Sequence, residues 1–380
     1  MRCRVMSENL LLIPGPTNLS QRVRNVMAEP QMPHLGRNFY NSFVDLVKLS
    51  RFAFKNDKGI QFVFTGSGTV AMESAIVSTV CHGDRVLVLV SGYFGKRVTL
   101  INKARGANVE EIVYPDGKQA NVDDLRKKLR ENKYKAVFMT HVETATSVKN
   151  PIEDLVKECR NAGVFSIVDS VCGVGGEPLD FDRLGADVVF SASQKALAGP
   201  PGVALLAASN EIVDYFAKRT EPIESYYMNL LLWKPVMDDP KIYLATPGTQ
   251  VLMGLREALR EVKEEGLENR WARNAQLART ARKRISELGL SFLPEEGCMA
   301  NTVTAFRVKD GTSAAVQQTL EQKYGIFVAR GLGENKEKLI RIGHFGILTI
   351  PKLEEALDSI EEVLRSTGAI EKPMAMTQQH

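Results

Sequence analysis

Seven short β-rich apolar runs recur between residues 61 and 207, at 61–64 (QFVF), 86–90 (VLVLV), 109–113, 136–140 (AVFMT), 164–168 (VFSIV), 187–190 (DVVF) and 203–207. Most of the stretches between them carry helical patterning. The segment 69–80 (TVAMESAIVSTV) is good helix, 121–131 sets Val122, Leu125 and Leu129 at helical spacing, and 151–162 opens on a proline suited to a first helical turn. Strands that are apolar along their whole length must be covered on both faces. The alternation therefore predicts an α/β fold with a mainly parallel seven-stranded sheet between helical layers.

The rhythm breaks at 208–248, which holds Pro222, Pro235, Pro240 and Pro247 together with Tyr226, Tyr227, Trp233 and Tyr243. A long loop of this kind is usually functional or buried in an interface. After it, 249–287 reads as one long helix with Val251, Leu255, Ala258 and Val262 on a stripe and a kink at Gly266. Strand candidates at 301–307 and 338–342, with helices near 312–323 and 351–365, predict a smaller C-terminal α+β domain. The expected division is a large domain over 1–250, a small domain over 251–370 and a tail over 371–380.

At 380 residues the chain can bury a core without disulfide or metal staples. Its formal net charge is only +4, and the basic run Arg126-Lys127-Lys128 with Arg130 is flanked by Asp123, Asp124 and Glu131. That run reads as a solvated helix face, so no nucleic-acid partner is expected. The five cysteines (Cys3, Cys81, Cys159, Cys172, Cys298) are scattered and lack C-x-x-C spacing, which suits a reducing compartment and gives no metal site. The N-terminus reaches Pro14 too soon for a signal peptide, and no apolar run is long enough to span a bilayer. The expectation is a soluble cytoplasmic protein.

Three features sit at C-terminal ends of predicted strands, the edge where open α/β sheets bind ligands. Thr65-Gly66-Ser67-Gly68-Thr69 joins a strand to a helix, where glycines and free N–H groups can cradle a phosphate. The same stretch satisfies a loose dinucleotide pattern, Gly66-x-Gly68-x-x-Ala71, and equally fits a plain tight turn. Against the dinucleotide, the next strand ends in Ser91-Gly92-Tyr93 rather than in an acid. Asp169 closes the strand 164–168, where a carboxylate is costly without a positive partner, although a structural hydrogen bond would also explain it. Lys195, in Ser191-Ala192-Ser193-Gln194-Lys195, lies in a loop of small residues, where desolvation makes a lysine nucleophilic.

Together, a phosphate cradle, a carboxylate and a buried lysine are what pyridoxal 5′-phosphate needs: an anchor, a partner for the pyridine nitrogen and an amine for the Schiff base. From Pro14-Gly15-Pro16-Thr17 to about residue 365 the chain resembles the class V, fold-type I aminotransferases, most closely the alanine–glyoxylate / serine–pyruvate group. The resemblance rests on Thr65–Thr69, Val168-Asp169-Ser170-Val171, Ser193-Gln194-Lys195-Ala196-Leu197, Pro200-Pro201-Gly202 and Arg341-Ile342-Gly343. It implies that Lys195 carries the cofactor as an internal aldimine and that Asp169 pairs with the pyridinium. Ser67, Gly68, Thr69 and the Gln194 side chain would hold the phosphate, Thr144 would bond near the phenolic oxygen, and Val171 would pack under the ring. Phe94 takes the place of the stacking aromatic, often Trp in the family, with Tyr93 as the alternative.

By the same resemblance Tyr243 and Thr246 reach the phosphate of a neighbouring subunit, which implies a homodimer with shared sites. Arg341 would clamp the substrate carboxylate, and Gly15 would border the substrate. The implied activity is ping-pong transfer of an amino group between alanine or serine and glyoxylate or pyruvate. Rival readings are a 2-aminoethylphosphonate–pyruvate aminotransferase, a cysteine desulfurase with Cys298 as the nearest candidate thiol, and a nicotinamide-dependent dehydrogenase. His141 and His344 read as structural, and His34, Arg37 and Asn38 as neighbours of the site entrance.

Overall fold

The computed structural model describes residues 9–370. The first eight residues, with Cys3, and the tail 371–380 lie outside the described residues. In chain order the first part comprises β1 (Leu10–Leu11), α1 (Gln21–Ala28), α2 (Arg37–Phe54), β2 (Ile60–Thr65), α3 (Gly68–Thr79), β3 (Arg85–Val90), α4 (Tyr93–Ala104), β4 (Asn108–Val113) and α5 (Val122–Glu131). There follow β5 (Ala136–Thr140), β6 (Val142–Glu143), β7 (Val148–Lys149), α6 (Ile152–Asn161), β8 (Phe165–Asp169), α7 (Phe181–Leu184), β9 (Val188–Ala192) and β10 (Val203–Ala208). The remainder is α8 (Asn210–Lys218), α9 (Leu230–Asp238), α10 (Thr249–Glu265), α11 (Leu267–Glu287), β11 (Val303–Arg307), α12 (Ser313–Tyr324), β12 (Ile326–Phe327), β13 (Ala329–Arg330), β14 (Leu339–Gly343) and α13 (Ile350–Ser366).

All seven apolar runs are strands of one sheet, in the order β2-β10-β9-β8-β5-β3-β4. Only β10 runs antiparallel to its neighbours; the other pairs are parallel. Because side chains alternate across a strand, each run feeds two cores. Val63, Leu87, Leu89, Val137, Met139, Val189 and Leu205 point to the layer formed by α2, α5, α6 and α10. Their neighbours Phe62, Phe64, Val88, Phe138, Phe190 and Leu206 point to the layer formed by α3, α8 and α9. Continuous apolarity is thus two alternating patterns superimposed.

The stretch 208–248 contains two helices, contrary to its reading as a loop. Ser209 caps α8 by accepting from the Ile212 N–H at 3.2 Å, and Ile212, Val213 and Phe216 bury one face. Pro235 lies inside α9, where it forfeits one helical hydrogen bond. Burial offsets that loss: Trp233 stacks on Phe64 at 4.7 Å between ring centroids, and its Nε1–H donates to the Tyr227 carbonyl at 2.5 Å. The long helix expected over 249–287 is likewise two helices. Gly266, at φ +80°, stands at the end of α10 and the start of α11 in a conformation that L side chains rarely adopt.

The two cores part at that glycine. Leu252, Leu255 and Leu259 of α10 pack on the large sheet, whereas Leu277, Ala281 and Ile285 of α11 join the C-terminal core with α12, α13 and β14. There, β11, β14 and β13 form an antiparallel sheet. The N-terminal segment joins this second core: β1 pairs with β12, and Leu10 and Leu12 are buried in it. From that anchor, residues 13–16 run across the mouth of the large sheet. Among the described residues no helix is long and apolar enough to cross a membrane.

Phe138, 1% exposed at the middle of β5, tests this packing. Phe138→Ala is expected to cost ~3–5 kcal/mol in urea unfolding; a loss under about 1 kcal/mol would mean that this face is not packed as described.

Candidate active site

The parallel strands and β2 all end at one edge of the sheet, so Thr65-Gly66-Ser67, Val90-Ser91-Gly92, Thr140-His141, Asp169-Ser170 and Ala192-Ser193-Gln194-Lys195 open into the same mouth. Ser67 caps α3, its Oγ accepting from the Val70 N–H at 3.3 Å. The N–H groups of Gly68 and Thr69 begin the helix and point outward, as the first donors of any helix do. A Cβ on Gly68 would stand 3.1 Å from the Ala192 Cβ and 3.4 Å from the Val171 Cγ2. Glycine thus lets this positive helix end approach β8 and β9 closely. Two residues past β9, the buried Gln194 Oε1 has no partner among the described residues, and a half-turn of that amide presents N–H donors instead.

Asp169 is 4% exposed. Its Oδ1 accepts one hydrogen bond, from the Val171 N–H at 2.9 Å, and no cation lies in ion-pair contact among the described residues. Burial pushes its carboxyl up to about 6, opposed by that N–H and by the charges of Lys195 and Arg97. A buried carboxylate with so little support is stabilised by any cation that enters the mouth. The Lys195 Nζ donates to the Pro14 carbonyl of the N-terminal crossing segment. Gly15, at φ +89°, leaves room for it; a Cβ there would come within 2.5 Å of the Lys195 Cδ.

Thr144 is buried, with its Oγ donating to the Cys172 Sγ at 2.9 Å and its carbonyl accepting from the Arg341 Nη1 at 2.9 Å. Arg341 is 6% exposed, and its Nε donates to the Arg330 carbonyl at 2.8 Å. These two bonds fix the guanidinium and leave Nη2 without a partner among the described residues. Phe94 is half-buried at the start of α4, its ring 5.6 Å from that of Tyr93. Tyr243 and Thr246 bond to each other at 2.9 Å on the surface, and no hydrogen bond ties either to Ser67, Gly68 or Thr69 of the same chain.

Two residues with no role in the sequence reading also face this mouth. Arg97 lies 4.7 Å from the Phe94 ring centroid and donates to the Thr69 Oγ at 3.4 Å. Glu143 is fully buried beneath Gly92, where burial pushes its carboxyl up to about 7 against three backbone N–H donors. An acid among the small and apolar residues after β5 was the only sequence signal for it. His141 is held neutral, pushed down to about 3 by burial, with Nδ1 3.0 Å from the Ser170 Oγ; His344 is buried likewise. Burial raises rather than lowers the Cys298 thiol, so it is not an activated nucleophile.

An unpartnered acceptor, an under-supported carboxylate, an open helix end and an amine converge on one mouth, and they fit a phosphorylated, ring-nitrogen aldehyde. Among the described residues no cluster of His, Cys, Asp and Glu could hold a metal ion.

A family model described as Aminotransferase class-V matches residues 24–336. An uncharacterized aminotransferase of Methanocaldococcus jannaschii is 33% identical, over 95% of this chain and 94% of its own. The crystal structure of an alanine–glyoxylate aminotransferase from Nostoc sp. superposes with a TM-score of 0.91 at 30% identity, covering 96% of this chain and 97% of that one. That of a ureidoglycine–glyoxylate aminotransferase from Bacillus subtilis gives 0.92 at 27% identity, covering 97% and 96%.

Asp169 sets a pH dependence. A carboxyl that takes up its proton near pH 6 must release it to pair with a protonated ring nitrogen. Affinity for pyridoxal 5′-phosphate is therefore expected to fall as pH drops from about 7 to about 5, read by equilibrium fluorescence titration. Asp169→Asn should flatten that slope; an unchanged slope in the variant would assign the titration to another group.

Proposed function

The chain belongs to the class-V aminotransferases, and from that premise we propose that it moves an amino group between alanine or serine and glyoxylate or pyruvate. Pyridoxal 5′-phosphate is its cofactor, as in the family and its structural neighbours; when bound it supplies the electron sink for breaking a bond at the donor's Cα. With the family settled, the dinucleotide reading of Gly66-x-Gly68 falls away.

The observation that carries the reading is the convergence of Lys195, Asp169 and the α3 start at one sheet edge. In this reading Ser67, Gly68, Thr69 and Gln194 hold the phosphate, Val171 and Phe94 flank the ring, and Thr144 borders its phenolic oxygen. Asp169 keeps the ring nitrogen protonated. The Lys195 Nζ, freed when the donor amine displaces it, takes the Cα proton and later returns one. Gly15 and the Pro14 carbonyl keep that amine aimed into the mouth. The unpartnered Nη2 of Arg341 receives the substrate carboxylate.

Glyoxylate is favoured as acceptor because it appears in the names of two structural neighbours whose donors differ. A 2-aminoethylphosphonate donor would carry its phosphonate one carbon farther from the amine-bearing carbon than alanine carries its carboxylate, so the two anions would not meet Arg341 at the same place. We further propose a homodimer in which Tyr243 and Thr246 cross to the phosphate site of the second copy. Their exposure supports it: Tyr243 is 60% exposed and Thr246 is exposed as well. A cytoplasmic setting accords with four unpaired cysteines among the described residues.

Two variants test the roles. Lys195→Ala is expected to abolish alanine–glyoxylate and serine–pyruvate turnover without unfolding the protein, and retained turnover would remove Lys195 from the chemistry. Arg341→Ala should lower kcat/KM for alanine about 10- to 100-fold, the worth of a charge-assisted hydrogen bond. Unchanged alanine and glyoxylate kinetics would exclude it as the clamp.

A further inference from the structure

Glu143 is the one fully buried acid at the mouth to which the proposed reaction gives no task. Its Oε2 accepts from the Phe94 N–H at 3.0 Å and the Gly95 N–H at 3.2 Å, and its Oε1 from the Ala145 N–H at 3.0 Å. No lysine or arginine contacts it among the described residues. The carboxylate thus caps the start of α4 from a distant part of the chain, where the helix end favours negative charge. Gly92 is shaped around it: a Cβ there would stand 2.5 Å from the Glu143 Cγ. Two further bonds join the same segments, from the Thr146 Oγ to the Ser91 carbonyl at 3.2 Å and from the Asn150 Nδ2 to the Ser91 Oγ at 2.9 Å.

The other side of the β6–β7 hairpin faces the small domain. Thr144, the next residue, carries the carbonyl that holds Arg341. The Ser147 Oγ accepts from the Ala305 N–H at 3.1 Å on β11, and the Ser147 carbonyl accepts from the Ala300 N–H at 3.0 Å. One short hairpin therefore touches the residue that flanks the cofactor ring and the residue that receives the substrate.

We propose that Glu143 is a positioning residue that sets the Phe94 ring and the Thr144–Arg341 pair in register across the cofactor site. The inference rests on the roles of Phe94 and Arg341 given above. Chemistry explains why an acid is needed. Three N–H donors converge on the two carboxylate oxygens, and an amide of the same shape would turn its own NH2 toward at least one of them. A misplacement of ~1 Å at such a site can cost about 100-fold in rate.

The experiment compares Glu143→Gln, Phe94→Ala and the double variant as holoenzymes. It reads cofactor Kd, visible circular dichroism of the bound cofactor, KM for alanine and melting temperature. Glu143→Gln is expected to weaken cofactor binding about tenfold, diminish the visible dichroism and raise KM. In the Phe94→Ala background its effect on Kd should shrink to within about twofold, the coupling expected of two residues acting as one unit. A fall in melting temperature alone, with Kd, dichroism and KM unchanged, would reduce Glu143 to a helix cap and overturn the proposal. Full multiplication of the two Kd losses would also overturn it, because Glu143 would then act apart from Phe94. Phe94→Ala with unaltered dichroism would instead refute the ring-flanking role itself. Should Glu143→Gln not fold, Gly92→Ala displaces the same carboxylate and is expected to reproduce the three changes; normal Kd, dichroism and KM in that variant would count against the proposal.

Discussion

A carboxylate buried at the end of β8 with a single backbone hydrogen bond is the constraint on which the site depends. Asp169 is costly where it stands, and its neighbours do not relieve the cost by pairing with it. Lys195 is directed elsewhere, to the Pro14 carbonyl. Arg97 acts on Asp169 only as a charge at a distance. Any cation that enters the mouth would therefore stabilise this carboxylate, and in the proposed function a protonated pyridine nitrogen is that cation. Parallel strands make this possible, because several chain segments open on one edge without any of them having to cross it.

Covering that edge falls to segments distant in sequence. The N-terminal residues are anchored in the C-terminal core through β1 and β12, so the crossing segment that meets Lys195 is tied to that core. Arg341, on β14, is tied back to Thr144 of the large domain. Arg341 is thus held both within its own sheet, at the Arg330 carbonyl, and across to the other core, while the Lys195 contact is made between the two cores. Gly15 permits a close approach that a Cβ would block, and at Gly68 a Cβ would press tightly on the Ala192 Cβ.

Much of this was legible in the sequence, and the rest was hidden for identifiable reasons. The seven strands announced themselves because burial on both faces makes a strand apolar throughout. Asp169 and Lys195 stood out as charged residues directly after such strands. The helices at 210–218 and 230–238 were obscured by prolines and aromatics whose packing partners, such as Phe64 for Trp233, are remote in sequence. Glu143 left only a faint signal for a related reason. Its partners are backbone N–H groups of Phe94 and Gly95, and backbone donors leave no mark on residue identity. Tyr243 and Thr246 were matched by resemblance alone, since within one chain they bond each other and Tyr243 rests 5.8 Å from the His34 ring, away from any cofactor residue.

The central claim is that Lys195 is the residue to which the cofactor is covalently joined. Borohydride reduction of the purified enzyme, followed by protease digestion and peptide mass spectrometry, tests it most directly, because reduction makes that linkage permanent. The account requires the pyridoxyl mass on the peptide containing Ser193-Gln194-Lys195, at near-stoichiometric yield, and its loss when alanine is added before reduction. A label on another lysine, or none after saturation with pyridoxal 5′-phosphate, would contradict it.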